Sequence, residues 1–483
     1  MSSRRFDYQT FFSRVTLNII MSRGAKSSPD LAPLKRTALS ALQSIMASPF
    51  AESIALLELE YPLVETLASS LDIGDTFLQV SLLDCVIVSL KLRILRDSYS
   101  SLSDPNVEPQ GHTRTGSKDA RHSLQVSVPE DRIDTQQTGP QPPPPQLLKY
   151  LQEAFASPGT RPVLDSWISF LTEIMPLYSE VIFQVLIPLV ECLCDQISQT
   201  FEGLKATFST DSSQNSVAPE STLIALINGL EQVLARAHDQ LITEEINDTS
   251  TPGPTQTPGF FGNMVSGVFS SDSTRSRSAT ANDRLTVILS FQDTVRICYK
   301  IWAWGTNRTG SVTQDSTSLA SFAHTSLRMR NRARRMLEHL FAAESLECLE
   351  VLVDIWRADK QRGEKRASLV FDLLHVLDGS RPKHTIPAIF NAIYSRANPN
   401  ALDPMRQSTL TSDLADTDVV IFLVDYARTL EDDAMDEIWT DCMTFIKDVL
   451  LNPFPHRQTL PRLLEFTSIL GEKVDNTTFG EQR

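Results

Sequence analysis

Three observations in the 483-residue sequence predict an all-helical protein of the armadillo-like or HEAT-like solenoid class with disordered insertions. Apolar residues recur at helical spacing over segments of roughly 12–25 residues. The segment from Asp75 to Arg96 is apolar nearly all round, which calls for helical neighbours on both sides. Strand-like alternation of useful length is missing. No strict internal repeat supports the solenoid, so an irregular helical bundle is the alternative architecture.

The first helix is read from Leu34, Ala38, Ala41, Leu42 and Ile45, which share one helical face. Pro33 suits its first turn and Ser48-Pro49 ends it. A second helix is expected from Glu52 to Leu71 with a kink at Pro62, and a third from Asp75 to Arg96. Residues 1–96 thus form a helical repeat block. Residues 97–146 are rich in Ser, Asp, Pro, Gln and Gly and end in Pro142-Pro143-Pro144-Pro145. Such a stretch cannot bury enough apolar surface to offset its ordering entropy, so a disordered linker is expected, and protease should cut there first.

A helical block resumes over 147–246, with apolar segments Trp167–Tyr178 and Val181–Cys194 (the latter containing Pro188), then a helix from Ser221 to Glu245. Residues 247–283 read as a polar loop interrupted by one apolar segment at 260–269. The last block, 284–483, is read as helices Arg284–Trp304, Leu319–Arg357, Lys365–Asp378, Ile386–Ala397, Thr417–Leu430, Asp433–Leu451 and Pro461–Glu472.

Charge and cysteine usage narrow the function classes. With 44 basic against 59 acidic residues and a formal charge of -15, bulk attraction to nucleic acid or anionic lipid is not expected; any such contact needs a local basic patch. None of the six cysteines forms a CxxC pair, and all lie in apolar helical patterns, as expected of reduced thiols in the cytosol. The opening Met-Ser-Ser-Arg-Arg-Phe-Asp carries no apolar signal core, and no uncharged apolar run is long enough to span a bilayer.

The search for chemistry yields no catalytic set. The sequence has no GxxxxGK[ST] loop, GxGxxG, HExxH or GxSxG, and its eight histidines are scattered. No catalytic, metal-binding or cofactor-binding residues are expected. Cys192 and Cys194 would lie about 200° apart on a helix and cannot share a metal. His375, between Leu374 and Val376, reads as a core histidine. The acids Glu431, Asp432, Asp433, Asp436 and Glu437 read as a solvated helix N-terminus.

Two features remain. Arg328, Arg330, Arg332, Arg334 and Arg335 precede the apolar run Met336, Leu337, Leu340 and Phe341. As a solvated face they would pair with Glu344, Glu347 or other acids. As a functional face they would meet phosphoinositide headgroups or an acidic partner, or serve nuclear import or nucleic-acid binding. The second feature is a series of doublets four residues apart: Phe260/Phe261, Met264/Val265 and Val268/Phe269. Wound as a helix they form one apolar stripe backed by Gly262, Asn263, Ser266 and Gly267. Two glycines and ten residues do not sustain an isolated helix, so the segment is expected to order only on contact with a membrane, a partner groove or the solenoid's own flank.

The segment GFFGNMVSGVF at Gly259–Phe269, followed by TANDRLTVILSFQDTVRICYKIWAWG at Thr280–Gly305, resembles the Dopey family, its fungal members above all. The resemblance implies a non-enzymatic, peripheral protein of Golgi, trans-Golgi network and endosome membranes. It would act in protein transport between endosomes and Golgi and in Golgi organisation, with effects on cell polarity and development. The implied partners are a large HEAT-repeat Golgi scaffold related to Arf exchange factors, an aminophospholipid flippase and the membrane surface, and no nucleic acid. Family members are several times longer and begin with a helical domain not found here, so the chain corresponds to a middle-to-C-terminal portion. The alternative function is a nuclear or developmental regulatory interaction protein using the arginine cluster.

Overall fold

A computed structural model describes residues 8–22, 31–48, 51, 54–71, 75–102, 143–179, 181–208, 220–250, 273–305, 316–363, 367–403 and 406–475. Among these residues every regular element is helical, joined by turns and short 3-10 segments. The chain divides into two compact units, Met1–Tyr178 and Ser179–Arg483.

The first unit contains α1 (Tyr8–Met21), α2 (Leu31–Met46), α3 (Glu60–Ser70), α4 (Thr76–Leu102), α5 (Pro145–Ala156) and α6 (Leu164–Ile174). Helix α4 packs against α2, α3 and α6, the sandwiched position its all-round apolarity predicts. Leu42, Leu63, Leu67, Leu82, Val86 and Trp167 are fully buried there. The indole Nε1 of Trp167 faces Gln79 Oε1 at 3.5 Å, and Gln79 is itself fully buried.

Several local expectations shift in this unit. Helix α1 was not singled out by periodicity. In α2 the buried line is Ala38, Leu39, Leu42 and Met46, whereas Leu34 is 49% exposed, so the helix is rotated from the face first read. The helix expected from Glu52 begins only at Glu60, because Glu58 turns the chain with φ 48°. Pro62 therefore sits in the first turn of α3, where a missing N–H costs nothing, rather than at a mid-helix kink. Helix α4 continues past Arg96 to Leu102, and α5 starts on Pro145, the last residue of the proline run.

The second unit holds α7 (Ile182–Thr207), α8 (Glu220–Ser250), α9 (Ser273–Trp302), α10 (Ser316–Ala343), α11 (Ser345–Gln361), α12 (Ala367–Val376), α13 (Pro382–Ala397), α14 (Asp416–Thr429), α15 (Met435–Leu451) and α16 (Leu460–Asp475). The packing is that of stacked helix pairs. Helix α7 contacts α8 and α9, and α9 contacts α10 and α11. Helix α11 contacts α13 and α14, α13 contacts α15, and α14 contacts α16. Successive pairs meet over aromatic clusters, such as Trp356, Phe371, Phe422 and Tyr426, and Phe390 stacked on Phe445 at 4.0 Å. This is the helical solenoid arrangement, each pair burying its apolar face on the next.

Helix α7 continues through Pro188 to Thr207, well beyond Cys194. Helices α8 and α9 extend to Ser250 and back to Ser273, into the stretch read as loop. The helix read as Leu319–Arg357 is two, broken at Glu344 (φ -140°, ψ 74°). No Gly or Pro marks that break. It is held by tertiary charge: Glu344 accepts from Arg284 at 2.9 Å and lies 3.6 Å from His238.

Candidate functional site

Helix propensity is favourable across 327–343, where Leu, Arg, Met, Ala and Glu dominate. Its apolar residues Met329, Ala333, Met336, Leu337 and Leu340 are buried against the stack, which fixes the rotation of α10. That rotation places His324, Leu327, Arg328, Asn331, Arg332, Arg334 and Arg335 along a groove of about 520 Å³ completed by Ile224 of α8. Arg328, Arg332 and Arg335 follow at i, i+4 and i+7, so one helical stripe carries them.

The arginines differ in their surroundings. Arg328 is 57% exposed, and its Nη1 donates to Glu220 Oε1 at 2.7 Å. Arg332 is only 14% exposed; its Nε donates to Asn228 Oδ1 at 2.7 Å, and it is paired with Glu231. Glu231 also meets His339. Arg334 lies 3.6 Å from Glu338 one turn on and reaches the Val376 carbonyl at 3.4 Å. Arg335 is exposed and has no ion-pair partner among the described residues. Arg330 leaves the cluster: it turns away from the groove and lies over the Trp302 ring at 5.2 Å. The structure thus brings four of the five arginines to one groove and separates the fifth. Glu220, Glu231 and Glu338 hold guanidinium groups without lining the groove, so the charged side chains of its wall are all basic.

Of the intrachain partners expected for the arginines, Glu344, Glu347 or other acids, the structure supplies the others: Glu220, Glu231 and Glu338. Glu344 serves Arg284, and Glu347 accepts from the backbone N–H of Thr409 at 2.8 Å and from its hydroxyl at 3.0 Å. His324, Leu327 and Asn331 were missed, although His324 and Asn331 lie one turn to either side of Arg328 and Leu327 one turn before Asn331. Ile224 had no local signal. Phe260, Phe261, Met264, Val265, Val268 and Phe269 lie outside the described residues.

The remaining chemistry-bearing residues have structural surroundings. Among the described residues no group of three His, Cys, Asp or Glu is placed to hold a metal ion. His375, read as a core histidine, is exposed; it stacks on Tyr426 and its Nε2 lies 3.3 Å from the Thr429 hydroxyl. Asp432 of the acidic cluster is paired with Lys473 at 3.2 Å. Burial pushes the Cys194 thiol up to about 12 and raises that of Cys192, so neither is a ready thiolate. A larger groove of about 710 Å³ beside Phe201, Trp304 and Phe322 is lined by both signs of charge, with Arg296 paired to Asp354 at 2.9 Å. No helix among the described residues is long and apolar enough to cross a membrane.

Against known proteins, residues 422–483 match the family model described as DOP1 C-terminal, which covers most of α14 together with α15 and α16. Protein dop1 of Emericella nidulans is 48% identical over 464 residues, covering 95% of this chain and 24% of that protein. Protein DOP1 of Saccharomyces cerevisiae is 28% identical over 338 residues, 66% of this chain and 19% of that one. The chain therefore spans a quarter or less of the length of these relatives. A solved circular tandem repeat protein aligns over 97% of this chain and 96% of its own at 11% identity, but its TM-score of 0.26 carries no argument about the fold. The identity shared along nearly the whole chain, with the matched C-terminal helices, places it: the chain belongs to the Dopey family.

Proposed function

We propose that this chain is part of a non-enzymatic scaffold in membrane trafficking between endosomes and Golgi. It would serve retrograde retrieval and Golgi organisation from the cytoplasmic face of Golgi, trans-Golgi network and endosome membranes. The observation that carries the reading is the 48% identity to a Dop1 protein over 95% of the chain. The stacked helix pairs support it, since a solenoid exposes long surfaces for partners. In this reading the partners are a large HEAT-repeat Golgi scaffold related to Arf exchange factors, an aminophospholipid flippase and the membrane surface. Arg328, Arg332, Arg334 and Arg335 contribute the basic contact to anionic lipid or an acidic partner, while Arg330 supports it from behind. Phe260, Phe261, Met264, Val265, Val268 and Phe269 supply a weak apolar attachment. Six such side chains gain roughly 9–18 kcal/mol on burial, and ordering their backbone returns much of that at about 1–2 kcal/mol per residue.

The test is fractionation of the tagged, full-length gene product. It should pellet with Golgi and endosomal membranes and be released by high salt or carbonate. Recovery in the nuclear fraction instead would sink the reading and favour the regulatory alternative. That alternative is disfavoured because an import signal is read as an extended basic run, whereas Arg328 and Arg332 are fixed on a helix by Glu220 and Glu231. For the apolar segment, replacing Phe260, Phe261 and Phe269 with Ser should reduce vesicle or partner binding at unchanged melting temperature. A large drop in melting temperature with unaltered binding would show that the segment packs on its own solenoid.

A further inference from the structure

The basic groove between α8 and α10 is built more narrowly than a surface patch for a charged membrane. Arg332 lies in it at 14% exposure, held by Glu231 and Asn228, so its guanidinium is presented in a fixed orientation along the groove. The lining combines the arginines with apolar Ile224 and with Leu327, which is 57% exposed. A phosphate headgroup offers nothing to those two side chains. From the helical rise of about 1.5 Å per residue, Arg328 to Arg332 spans about 6 Å and Arg332 to Arg335 about 4.5 Å along α10. In an extended peptide, side chains on one face recur about every 6.6 Å, and alternate residues point to the opposite face. Carboxylates on alternate residues therefore come close to the Arg328–Arg332 step and overshoot the Arg332–Arg335 step by about 2 Å, a gap the long side chain of Arg335 can span, while the intervening residues turn apolar groups to the rest of the lining. The open groove's volume of about 520 Å³ leaves room for a few residues of a peptide lying along it.

We propose that the α8/α10 groove binds a short, extended acidic peptide segment of a partner protein, with carboxylates on alternate residues facing Arg328, Arg332 and Arg335 and apolar residues between them contacting Ile224 and Leu327. This rests on the basic cluster being a functional contact and specifies its ligand. Arg332 is oriented in advance by Glu231. Arg328 exchanges its bond to Glu220 for the ligand, and Arg335, which has no ion-pair partner among the described residues, gains one. Arg334, tethered to Glu338, adds charge at one end.

The test uses the purified chain and a labelled peptide, Gly-Asp-Leu-Glu-Leu-Asp-Gly, followed by fluorescence anisotropy. The controls are a block-order peptide of the same composition, inositol trisphosphate, and phosphatidylcholine vesicles with and without a phosphoinositide. The alternating peptide should bind more tightly than the block-order one, and its affinity should fall steeply with salt. Arg335→Gln should weaken it about tenfold, the loss of one charge-assisted hydrogen bond, and Leu327→Ser should weaken it at unchanged melting temperature. Three outcomes overturn the proposal: equal binding of the two peptides, binding insensitive to both substitutions, or phosphoinositide vesicles binding in an Arg335-dependent, Leu327-independent way while the peptide does not. The peptide measurement contains no membrane, so its failure is separable from failure of membrane association in fractionation.

Discussion

Replacing Arg396 with Met should destabilise the second unit by about 3–5 kcal/mol, the usual cost of stranding one partner of a buried ion pair. Arg396 of α13 is 7% exposed and Glu350 of α11 is 1% exposed. They pair through two bonds, Nη1 to Oε1 at 2.6 Å and Nη2 to Oε2 at 2.9 Å. The same guanidinium donates to the Leu414 carbonyl at 2.9 Å and to the Ser412 hydroxyl at 3.1 Å, so it also ties down the segment leading into α14. With Met at 396, Glu350 keeps only the Ser412 hydroxyl, at 3.2 Å. The double variant Glu350→Leu/Arg396→Met removes the stranded charge and should recover part of the loss. About 1–3 kcal/mol should remain, because the Leu414 carbonyl still lacks its donor. Urea unfolding followed by tryptophan fluorescence reads this out, since Trp302, Trp304, Trp356 and Trp439 lie in the second unit and only Trp167 in the first. The midpoint should fall by on the order of 1 M in the single variant. Equal stability of single and double variants would show that the stranded Glu350 carboxylate adds no cost and refute the reasoning.

Burial raises the Glu347 carboxyl above its ordinary value of 4.5. The folded state then binds the proton more tightly than the unfolded chain, so stability falls as pH rises through the window above 4.5. Comparing unfolding free energies across that window, Glu347→Gln should remove this slope; an identical pH profile in both proteins would contradict it. Leu410 holds φ 53° at 50% exposure, so Leu410→Gly should relieve strain and raise stability by up to about 1 kcal/mol, whereas a clear loss in the melting curve would mean its side chain packs in solution. Burial pushes the thiols of Cys85, Cys194 and Cys442 up to about 12 and raises those of Cys298, Cys348 and Cys192. Maleimide labelling read by mass spectrometry should be slow in the native protein and start at half-buried Cys192; rapid labelling of Cys298 or Cys348 would contradict their burial.

Helix type was legible because it is written in spacing. The all-round apolarity of Asp75–Arg96 foretold a helix with neighbours on several sides, and α2, α3 and α6 surround α4. Boundaries were less legible, since they are set where local propensity meets tertiary contact. The start of α3 depends on a left-handed Glu58, a conformation that no glycine advertises. The break at Glu344 depends on Arg284, 60 residues away. A helix face can also be read slightly rotated when small residues surround it: Ala41 looked like part of the α2 stripe, but Leu39 and Met46 are the side chains that fill the core.

The candidate site shows the same division. That arginines cluster before an apolar run was plain, but as five residues spread around several helical faces; only the rotation of α10 picks out Arg328, Arg332 and Arg335 as one stripe along the groove. Their partners were not legible, because Glu220, Asn228 and Glu231 belong to a helix about a hundred residues earlier, at separations of 108, 104 and 101. The nearer acids, Glu344 and Glu347, looked suitable only because sequence distance stood in for spatial distance. In a stacked-helix protein the contacts that decide whether a charge is available run between neighbouring helices, not along one. Two arginines of one stripe can then be held from α8 while a third, Arg335, stays open, and only the packing of α8 on α10 says which.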